Sequence, residues 1–141
     1  ALADLYDIPR EMALRMSASF GGGIGRMRLT CGAACGMFML AGFERGQVLP
    51  NDPDQKMANY ALVQDLAARF QAEHGSMTCR ELLAMKAELR KTGLAGSGEN
   101  GVGKISPKPD DRNEAYYRQR PCVTMITSAV RMYCYALNGQ P

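Results

Sequence analysis

Three cysteines fall where a helix is predicted to begin, and this placement favours a negatively charged sulfur. Cys31 opens an apolar helical run, Cys79 follows Thr78 in a capping-box sequence, and Cys122 follows Pro121 at the start of the last helix. Backbone N–H groups and the helix dipole at such positions lower a thiol pKa, and the thiolate is the form that attacks disulfides and binds metals. The sequence therefore predicts thiolate chemistry at these cysteines.

Basic side chains close in sequence to two of these cysteines point the same way. Arg26 and Arg28 precede Cys31, and Arg80 follows Cys79. A guanidinium beside a thiol stabilises the thiolate. We therefore expect both thiols to be activated.

The other two of the five cysteines are predicted to play different parts. Cys35 lies one helical turn after Cys31, where Cβ atoms are about 5 to 6 Å apart, farther than the roughly 3.5 to 4.5 Å of a disulfide. Cys31 is therefore expected to pair with Cys79 or Cys122, or to share a metal with both. Cys134 lies on the flank of its helix and is interpreted as structural.

Periodicity and capping signals predict an all-α fold, a compact bundle of about five helices with a long Gly/Pro-rich loop over residues 93–110. No stretch alternates with period two for long enough to predict a sheet. The predicted helices run from Pro9 to Phe20, from Thr30 to about Phe43, from Asp52 to Gly75, from Thr78 to about Lys91 and from Cys122 to about Leu137.

Apolar spacings of three and four residues predict which helix faces are buried. The helix that starts at Thr30 is apolar nearly all round, so we expect it to be central. Cys122 is predicted to lie on an inward seam. The apolar stripes expected in the core are Met57, Tyr60, Val63, Ala67 and Phe70 in the third helix, and Val123, Ile126, Val130, Tyr133 and Leu137 in the last.

Two glycine-rich segments are candidate ligand loops. Gly22, Gly23, Gly25 and Arg26 form a weak cofactor-binding candidate. This segment follows a helix rather than a strand, so close backbone approach to the cysteines is the favoured interpretation. Residues 98–104 have the spacing of a phosphate-binding loop, but no strand precedes them and a surface loop is predicted instead.

His74 is the only histidine and ends the third helix. A cation is favoured at a helix C-terminus, so a capping role is the first interpretation. Cys79 follows only five residues later. Proton transfer or metal ligation is therefore the alternative for His74.

Composition bounds the function classes. A length of 141 residues with 46% hydrophobic residues indicates one globular domain, residues 1–141. The net charge of +3, without a run of like charge, argues against nucleic-acid binding, and no apolar stretch is long enough to predict a membrane span. The odd cysteine count favours a reducing cytoplasm, and the absence of C-x-x-C-H excludes c-type haem attachment within this chain.

Four segments resemble, in order, the signatures of a known family: FGGGIGRM at 20–27, CGAACG at 31–36, HGSMTCRELL at 74–83 and PC at 121–122. The chain is similar to small bacterial and archaeal proteins, proposed to be redox-active, that are named for a C_GCAxxG_C_C cysteine pattern. The resemblance implies that Cys31, Cys79 and Cys122 are three of four characteristic cysteines. It also implies that the fourth precedes Ala1, on a first helix of which residues 1–6 read as the end.

The leading hypothesis is a thiol redox protein, a thiol oxidoreductase or an electron-transfer protein. Its cysteines would cycle between dithiol and disulfide or relay electrons to a protein partner. The alternative is an iron–sulfur cluster or zinc held by Cys31, Cys79 and Cys122, with Cys35, Cys134 or an upstream residue as fourth ligand. A third hypothesis is a structural module that docks on an oxidoreductase or a transporter.

Overall fold

The computed structural model describes residues 2–91 and 107–139, with the backbone alone for residues 87–91. The described residues contain no strand, which confirms the all-α class. Most of the predicted loop at 93–110, including residues 98–104, lies outside them. The elements are a 3-10 helix at Ala3–Tyr6 and the helices α1 (Arg10–Ala18), α2 (Gly32–Arg45), α3 (Pro53–His74), α4 (Cys79–Lys91), α5 (Glu114–Gln119) and α6 (Cys122–Leu137).

The ends of α3 follow from two residues that the sequence marks. The Asp52 carboxylate accepts a hydrogen bond from the Gln55 N–H at 3.0 Å, which satisfies a donor of the first turn. Gly75 ends the helix with φ at +81°, in the left-handed region that favours glycine. Both predicted boundaries are confirmed.

The core forms where α2, α3 and α6 pack against one another. On α2, Ala34 and Ala41 are fully buried, and their small side chains let the neighbouring helices approach closely. Phe70 of α3 and Tyr133 of α6 are the largest of the fully buried side chains together with Leu66. The predicted central position of α2 is confirmed.

The predicted buried stripe of α6 is wrong in its first turns. Val123 and Ile126 are 59% and 50% exposed, and Cys122 is exposed rather than on an inward seam. Two stripes of α6 are apolar at spacings of three and four, so the sequence alone does not say which one faces α2 and α3. The buried stripe contains Met125, Ser128, Ala129, Met132 and Tyr133.

The first half of α3 shows the same kind of error. Met57 and Tyr60 are 66% and 53% exposed, although their spacing predicted a core position. Burial on α3 is concentrated at Leu66 and Phe70, where α2 and α6 cover the helix. Spacing identifies an apolar stripe, but neighbouring helices decide how much of its length is covered.

Candidate thiol site

The segments that carry Cys31 and Cys79 pair through an isolated antiparallel bridge. The Cys31 N–H donates to the carbonyl of Met77 at 2.8 Å, and the Cys79 N–H donates to the carbonyl of Leu29 at 2.6 Å. These two bonds hold the beginnings of α2 and α4 side by side. The bridged residues are Thr30 and Thr78.

Cys31 and Cys79 each follow the bridged residue of their segment, so they stand diagonally across the bridge. Diagonal neighbours in a regular ladder have Cα atoms about 7 to 8 Å apart, whereas disulfides join Cα atoms about 4.4 to 6.8 Å apart. Both thiols are free in the structure. The two thiols are therefore neighbours within electrostatic range of each other.

Cys122, the first residue of α6, lies within electrostatic range of both thiols. A negative charge on Cys122 raises the pKa of Cys31, and it also raises the pKa of Cys79. Cys122 is exposed, whereas Cys31 is buried and Cys79 is half-buried. The structure thus brings together three cysteines from distant parts of the chain, with one of them facing solvent.

The expectation that Cys31 and Cys79 are activated is wrong. Burial raises the pKa of Cys31, and hydrogen bonds from the N–H groups of Ala33 and Ala34 offset only part of that rise. Burial likewise raises the pKa of Cys79. Loss of hydration penalises the charged sulfur more than the helix N-terminus stabilises it. Both groups are therefore thiols at neutral pH.

The arginine that contacts Cys79 is Arg28, not the adjacent Arg80. The charge and the hydrogen-bonding capacity of the Arg28 guanidinium lower the Cys79 pKa, against the larger effect of burial. The Arg80 side chain is exposed, and its backbone N–H donates to the carbonyl of Arg28 at 3.3 Å. Proximity along the sequence thus identified the wrong guanidinium.

At the start of α4, Ser76 stands between the Thr78 N–H and the Glu81 carboxylate, the two groups that a capping box would join directly. The Ser76 hydroxyl accepts a hydrogen bond from the Thr78 N–H at 2.9 Å and donates to the Glu81 carboxylate. Ser76 is buried, so this contact lies beneath the surface of the site. Glu81 is therefore engaged with Ser76 and not with the thiols.

A left-handed turn between α1 and α2 packs closely against Cys79. The five residues from Gly22 to Arg26 all have φ between +55° and +74°. A Cβ on Gly23 would lie 2.5 Å from the Cys79 Cβ, so only glycine fits there. The predicted close approach of the glycine-rich segment to the cysteines is therefore present in the structure.

The turn uses its own backbone donors internally. The N–H groups of Ile24, Gly25 and Arg26 donate to carbonyls of residues 19–21 at 2.7 to 3.3 Å. Donors that are bonded within the turn cannot also hold an anion. The N–H groups of Gly25 and Arg26 are thus engaged within the turn, and a cofactor-binding role for Gly22, Gly23, Gly25 and Arg26 stays a prediction.

Cys35 and Cys134 occupy different surroundings. Burial raises the pKa of Cys35, and so does a charge on Cys31, one helical turn away. Cys134 instead lies in electrostatic range of Tyr6 and Tyr133. Twelve residues of helix separate Cys134 from Cys122, about 18 Å along the axis. Cys35 thus borders the thiol site and Cys134 lies at the other end of α6.

The His74 side chain is buried at the end of α3. Its ring packs edge-on against Phe70 with centroids 4.6 Å apart, and Nε2 lies 3.7 Å from a Glu73 carboxylate oxygen. Nε2 has no hydrogen-bond partner in the structure. The position matches the predicted helix terminus, and the roles proposed for His74 stay predictions.

Within residues 2–91 and 107–139, no three histidine, cysteine or acidic side chains form a group arranged to hold a metal ion. In the same part of the chain, no helix has the length and apolar character to cross a membrane.

Sequence reasoning missed two residues beside the site. Asp110 and Arg120 form an ion pair at 2.8 Å, and Arg26 joins the same carboxylate at 3.0 Å. Arg120 was detectable, because it precedes Pro121 and Cys122 directly. Asp110 gave no signal, since its importance depends on arginines far away in the sequence.

The fold and site define a helical protein with cysteines gathered at helix N-termini. Residues 1–135 match the family described as putative redox-active protein (C_GCAxxG_C_C), and the chain belongs to this family. This match confirms the resemblance noted from the sequence. Comparisons with curated proteins and with solved structures gave no match.

Proposed function

We propose that this protein is a thiol redox protein that alternates between a dithiol and a disulfide within the set Cys31, Cys79 and Cys122. The observation that carries the proposal is that three free thiols from three separate helix starts lie in electrostatic range of one another. A structural role would not require free thiols from remote segments to lie together beside a guanidinium. Family membership supports the same class.

The difference in exposure assigns the order of events. Cys122 is exposed and is the thiol that first attacks a disulfide of the partner. Attack forms a mixed disulfide and releases one partner sulfur as thiolate. Cys79 or Cys31 then attacks the Cys122 sulfur, forms the internal disulfide and releases the second partner thiolate.

The electron and proton balance is that of thiol–disulfide exchange. Two electrons pass from the protein dithiol to the partner disulfide, and the two thiol protons are available to the two thiolates released. A second dithiol of the cell's reducing system must return the protein to its starting state. The partner class is therefore a disulfide-bearing protein or small molecule in a reducing compartment.

Burial of the second thiol also has a kinetic consequence. A thiol with a raised pKa attacks slowly by itself, because little thiolate is present at neutral pH. Within a mixed disulfide it needs no second encounter, since the target sulfur is already beside it. The site therefore favours closing an internal disulfide over reacting separately at each cysteine.

Mild oxidation tests the proposal. The protein is incubated with a small disulfide, quenched in acid, alkylated under denaturing conditions and mapped by mass spectrometry without reduction. We expect a two-electron product with Cys122 joined to Cys79 or Cys31. The Cys122→Ser variant should lose this product, whereas the matched Cys134→Ser variant should keep it.

Metal analysis distinguishes thiol cycling from the iron–sulfur or zinc alternative. Protein purified without oxygen is assayed for iron, zinc and acid-labile sulfide. The proposal expects metal-free protein with five reactive thiols after unfolding. Stoichiometric metal that is lost from Cys31→Ser and Cys79→Ser, together with failure to form a disulfide, would establish the metal site instead.

A further inference from the structure

Cys31 stands just outside the helix that it begins. It is the N-cap residue of α2 with ψ at 129°, and the first helical residue is Gly32. The Cβ separation of about 5 to 6 Å for residues one turn apart holds only when both residues are helical. The spacing argument against a bond between Cys31 and Cys35 therefore does not apply to this structure.

The side chains of Cys31 and Cys35 belong to the same turn of α2. An N-cap side chain folds back over the first turn, and the N–H groups of Ala33 and Ala34 act on the Cys31 sulfur in this way. A helical side chain leans toward the N-terminus and covers the preceding turn, which directs Cys35 to the same place. The Cys35 N–H donates to the Cys31 carbonyl at 3.0 Å, so the main chain of this turn is fixed.

Cys31 is the central member of the four thiols in this region. It lies in electrostatic range of Cys35, of Cys79 and of Cys122. Cys79 and Cys122 are also in range of each other. The four thiols therefore divide into two pairs, an inner pair of Cys31 and Cys35 and an outer pair of Cys79 and Cys122.

The two pairs differ in their access to a substrate. The outer pair contains the exposed Cys122, whereas Cys31 of the inner pair is only 9% exposed and Cys35 is half-buried. A partner disulfide therefore reaches the outer pair first. Oxidation of the inner pair then has to come from the outer pair by exchange inside the protein.

We propose that Cys35 is a second resolving thiol, so that the site holds two dithiol pairs and passes four electrons to two partner disulfides. The proposal rests on the redox function proposed above and extends it from one internal disulfide to two. Each partner disulfide still receives two electrons.

The transfer between the pairs is an exchange without net oxidation. It starts from an internal disulfide that joins Cys31 to a cysteine of the outer pair. The Cys35 thiolate attacks the Cys31 sulfur, the Cys31–Cys35 bond forms, and the bond to the outer cysteine breaks. The outer sulfur leaves as thiolate and takes up the proton that Cys35 lost. Both outer thiols are then reduced again.

The transfer is reversible, and a second oxidation traps it. A disulfide closed within one turn constrains the main chain of α2, so the outer disulfide remains the main form while oxidant is limiting. When more partner disulfide is present, the outer pair that the transfer frees reacts a second time. Cys122 and Cys79 then form their own bond, and both pairs are oxidised.

Burial suits Cys35 to this internal step. It raises the pKa of Cys35, so this cysteine is a thiol at neutral pH and attacks an external disulfide slowly. A disulfide on Cys31 is already beside it, and no second encounter is needed. Cys35 therefore reacts with a neighbouring sulfur rather than with a partner in solution.

Counting the electrons that the protein gives up tests the proposal. Reduced protein is incubated without oxygen in a graded excess of oxidised glutathione, quenched in acid, alkylated while unfolded and weighed by mass spectrometry. We expect a product with four protected thiols and no attached glutathione, whose disulfides map to the inner and outer pairs. Cys35→Ser should stop at two protected thiols, whereas the matched Cys134→Ser should reach four.

A double variant isolates the inner pair. Cys79→Ser combined with Cys122→Ser keeps Cys31 and Cys35 but removes the thiol that meets the oxidant. It should still form the Cys31–Cys35 disulfide, at least about tenfold more slowly than the unchanged protein. An equal rate would overturn transfer through the outer pair.

The outcomes separate the two proposals. Protein that stops at one internal disulfide in excess oxidant, with no Cys31–Cys35 bond in the double variant, overturns the four-electron site and leaves the redox function in place. Absence of any internal disulfide overturns the redox function itself. A product in which Cys35 is bonded to a cysteine other than Cys31 overturns the pairing.

Discussion

The two ends of α6 place a cysteine in two different surroundings. At the N-terminal end, Cys122 lies in electrostatic range of two further thiols, and Arg28 contacts one of them. At the C-terminal end, Cys134 lies near Tyr6 and Tyr133. The same residue type on the same helix is therefore placed once among thiols and cations and once among phenols.

At the C-terminal end of α6, the tyrosine end, the hydroxyl groups of Tyr6 and Tyr133 form a hydrogen-bond network. Tyr133 is fully buried, and its hydroxyl contacts the Tyr6 hydroxyl and lies 3.1 Å from the carbonyl of Leu40. The Tyr6 hydroxyl donates to the Glu44 carboxylate at 3.1 Å. Burial raises the pKa of both tyrosines, so the neutral form persists far into the alkaline range. This network links the segment before α1 to α2 and α6.

The comparison teaches that neighbours, not helix position alone, decide what a cysteine can do. Helix N-termini predicted activation, yet burial raises the pKa values of Cys31 and Cys79. What sets the thiol end apart is the presence of several sulfurs in mutual range and of the Arg28 guanidinium beside one of them, both absent from the described contacts of Cys134.

The largest effect is expected from crowding the turn that covers Cys79. Gly23→Ala adds a Cβ 2.5 Å from the Cys79 Cβ at φ +74°, and should lower the free energy of unfolding by about 2 to 4 kcal/mol. Gly25→Ala is the matched control, because it has φ +55° but open space around it. It should cost only about 1 kcal/mol. Both free energies of unfolding are measured with urea. Equal losses for the two variants would show that the close approach of residue 23 to Cys79 adds nothing to the destabilisation.

A substitution with a smaller expected effect tests the tyrosine end. Tyr133→Phe removes a buried hydroxyl and leaves the Leu40 carbonyl and the Tyr6 hydroxyl without it. We expect a loss of about 1 to 2 kcal/mol in the free energy of unfolding, with unchanged disulfide formation at the other end. Tyr135→Phe, on an exposed side chain, should change stability by less than about 0.5 kcal/mol. If Tyr133→Phe failed to form the internal disulfide, the two ends of α6 would be energetically coupled.

Raising the pH should lower the free energy of unfolding in two steps, first through the thiols and then through the tyrosines. The effect should be smaller than that of these substitutions. The pKa values of Cys31 and Cys79 are raised above their ordinary 9.0, and those of Tyr6 and Tyr133 above 10.0. Stability that is present below the ordinary pKa is lost as pH rises, because the unfolded chain releases its protons first. Stability should fall above pH 9 and more steeply above pH 10.

Variants assign the two parts of this pH profile. Urea unfolding of Cys79→Ala should show a shallower fall between pH 8.5 and 9.5, while Tyr133→Phe should be shallower only at higher pH. A thiol variant whose profile matches that of the unchanged protein over both ranges would contradict the raised pKa of Cys79.

The smallest effect concerns Cys134. Cys134→Ser should leave the two-electron reduction potential of the thiol end unchanged within about 10 mV, since a change of 30 mV corresponds to about 1.4 kcal/mol. Equilibration with a dithiol buffer of known potential measures it. A larger shift would mean that the sulfur at the tyrosine end takes part in the chemistry.

Local signals in the sequence predicted the ends of the helices well. Asp52 and Gly75 act through their own side chain and backbone, so their effect needs no knowledge of the fold. The short helix α5 was missed, although Asn113 caps it by accepting a hydrogen bond from the Tyr116 N–H at 2.9 Å. With only six residues, it has no repeated apolar stripe to detect.

Properties that depend on packing were harder to predict. Val123 and Met125 are both apolar, and only the position of α2 and α3 decides that Met125 is the buried one. The candidate site divides in the same way. The capping patterns located the cysteines at helix starts, but the pairing of Arg28 with Cys79 depends on the left-handed turn.

The bridge between residues 30 and 78 holds Cys31 and Cys79 side by side through main-chain hydrogen bonds. Side-chain identity at these two positions is therefore separable from their geometry. Replacing either sulfur by selenium, or either cysteine by another small side chain, leaves the scaffold's register intact. The fold can thus serve as a frame on which different pairs of reactive groups are displayed at one fixed separation.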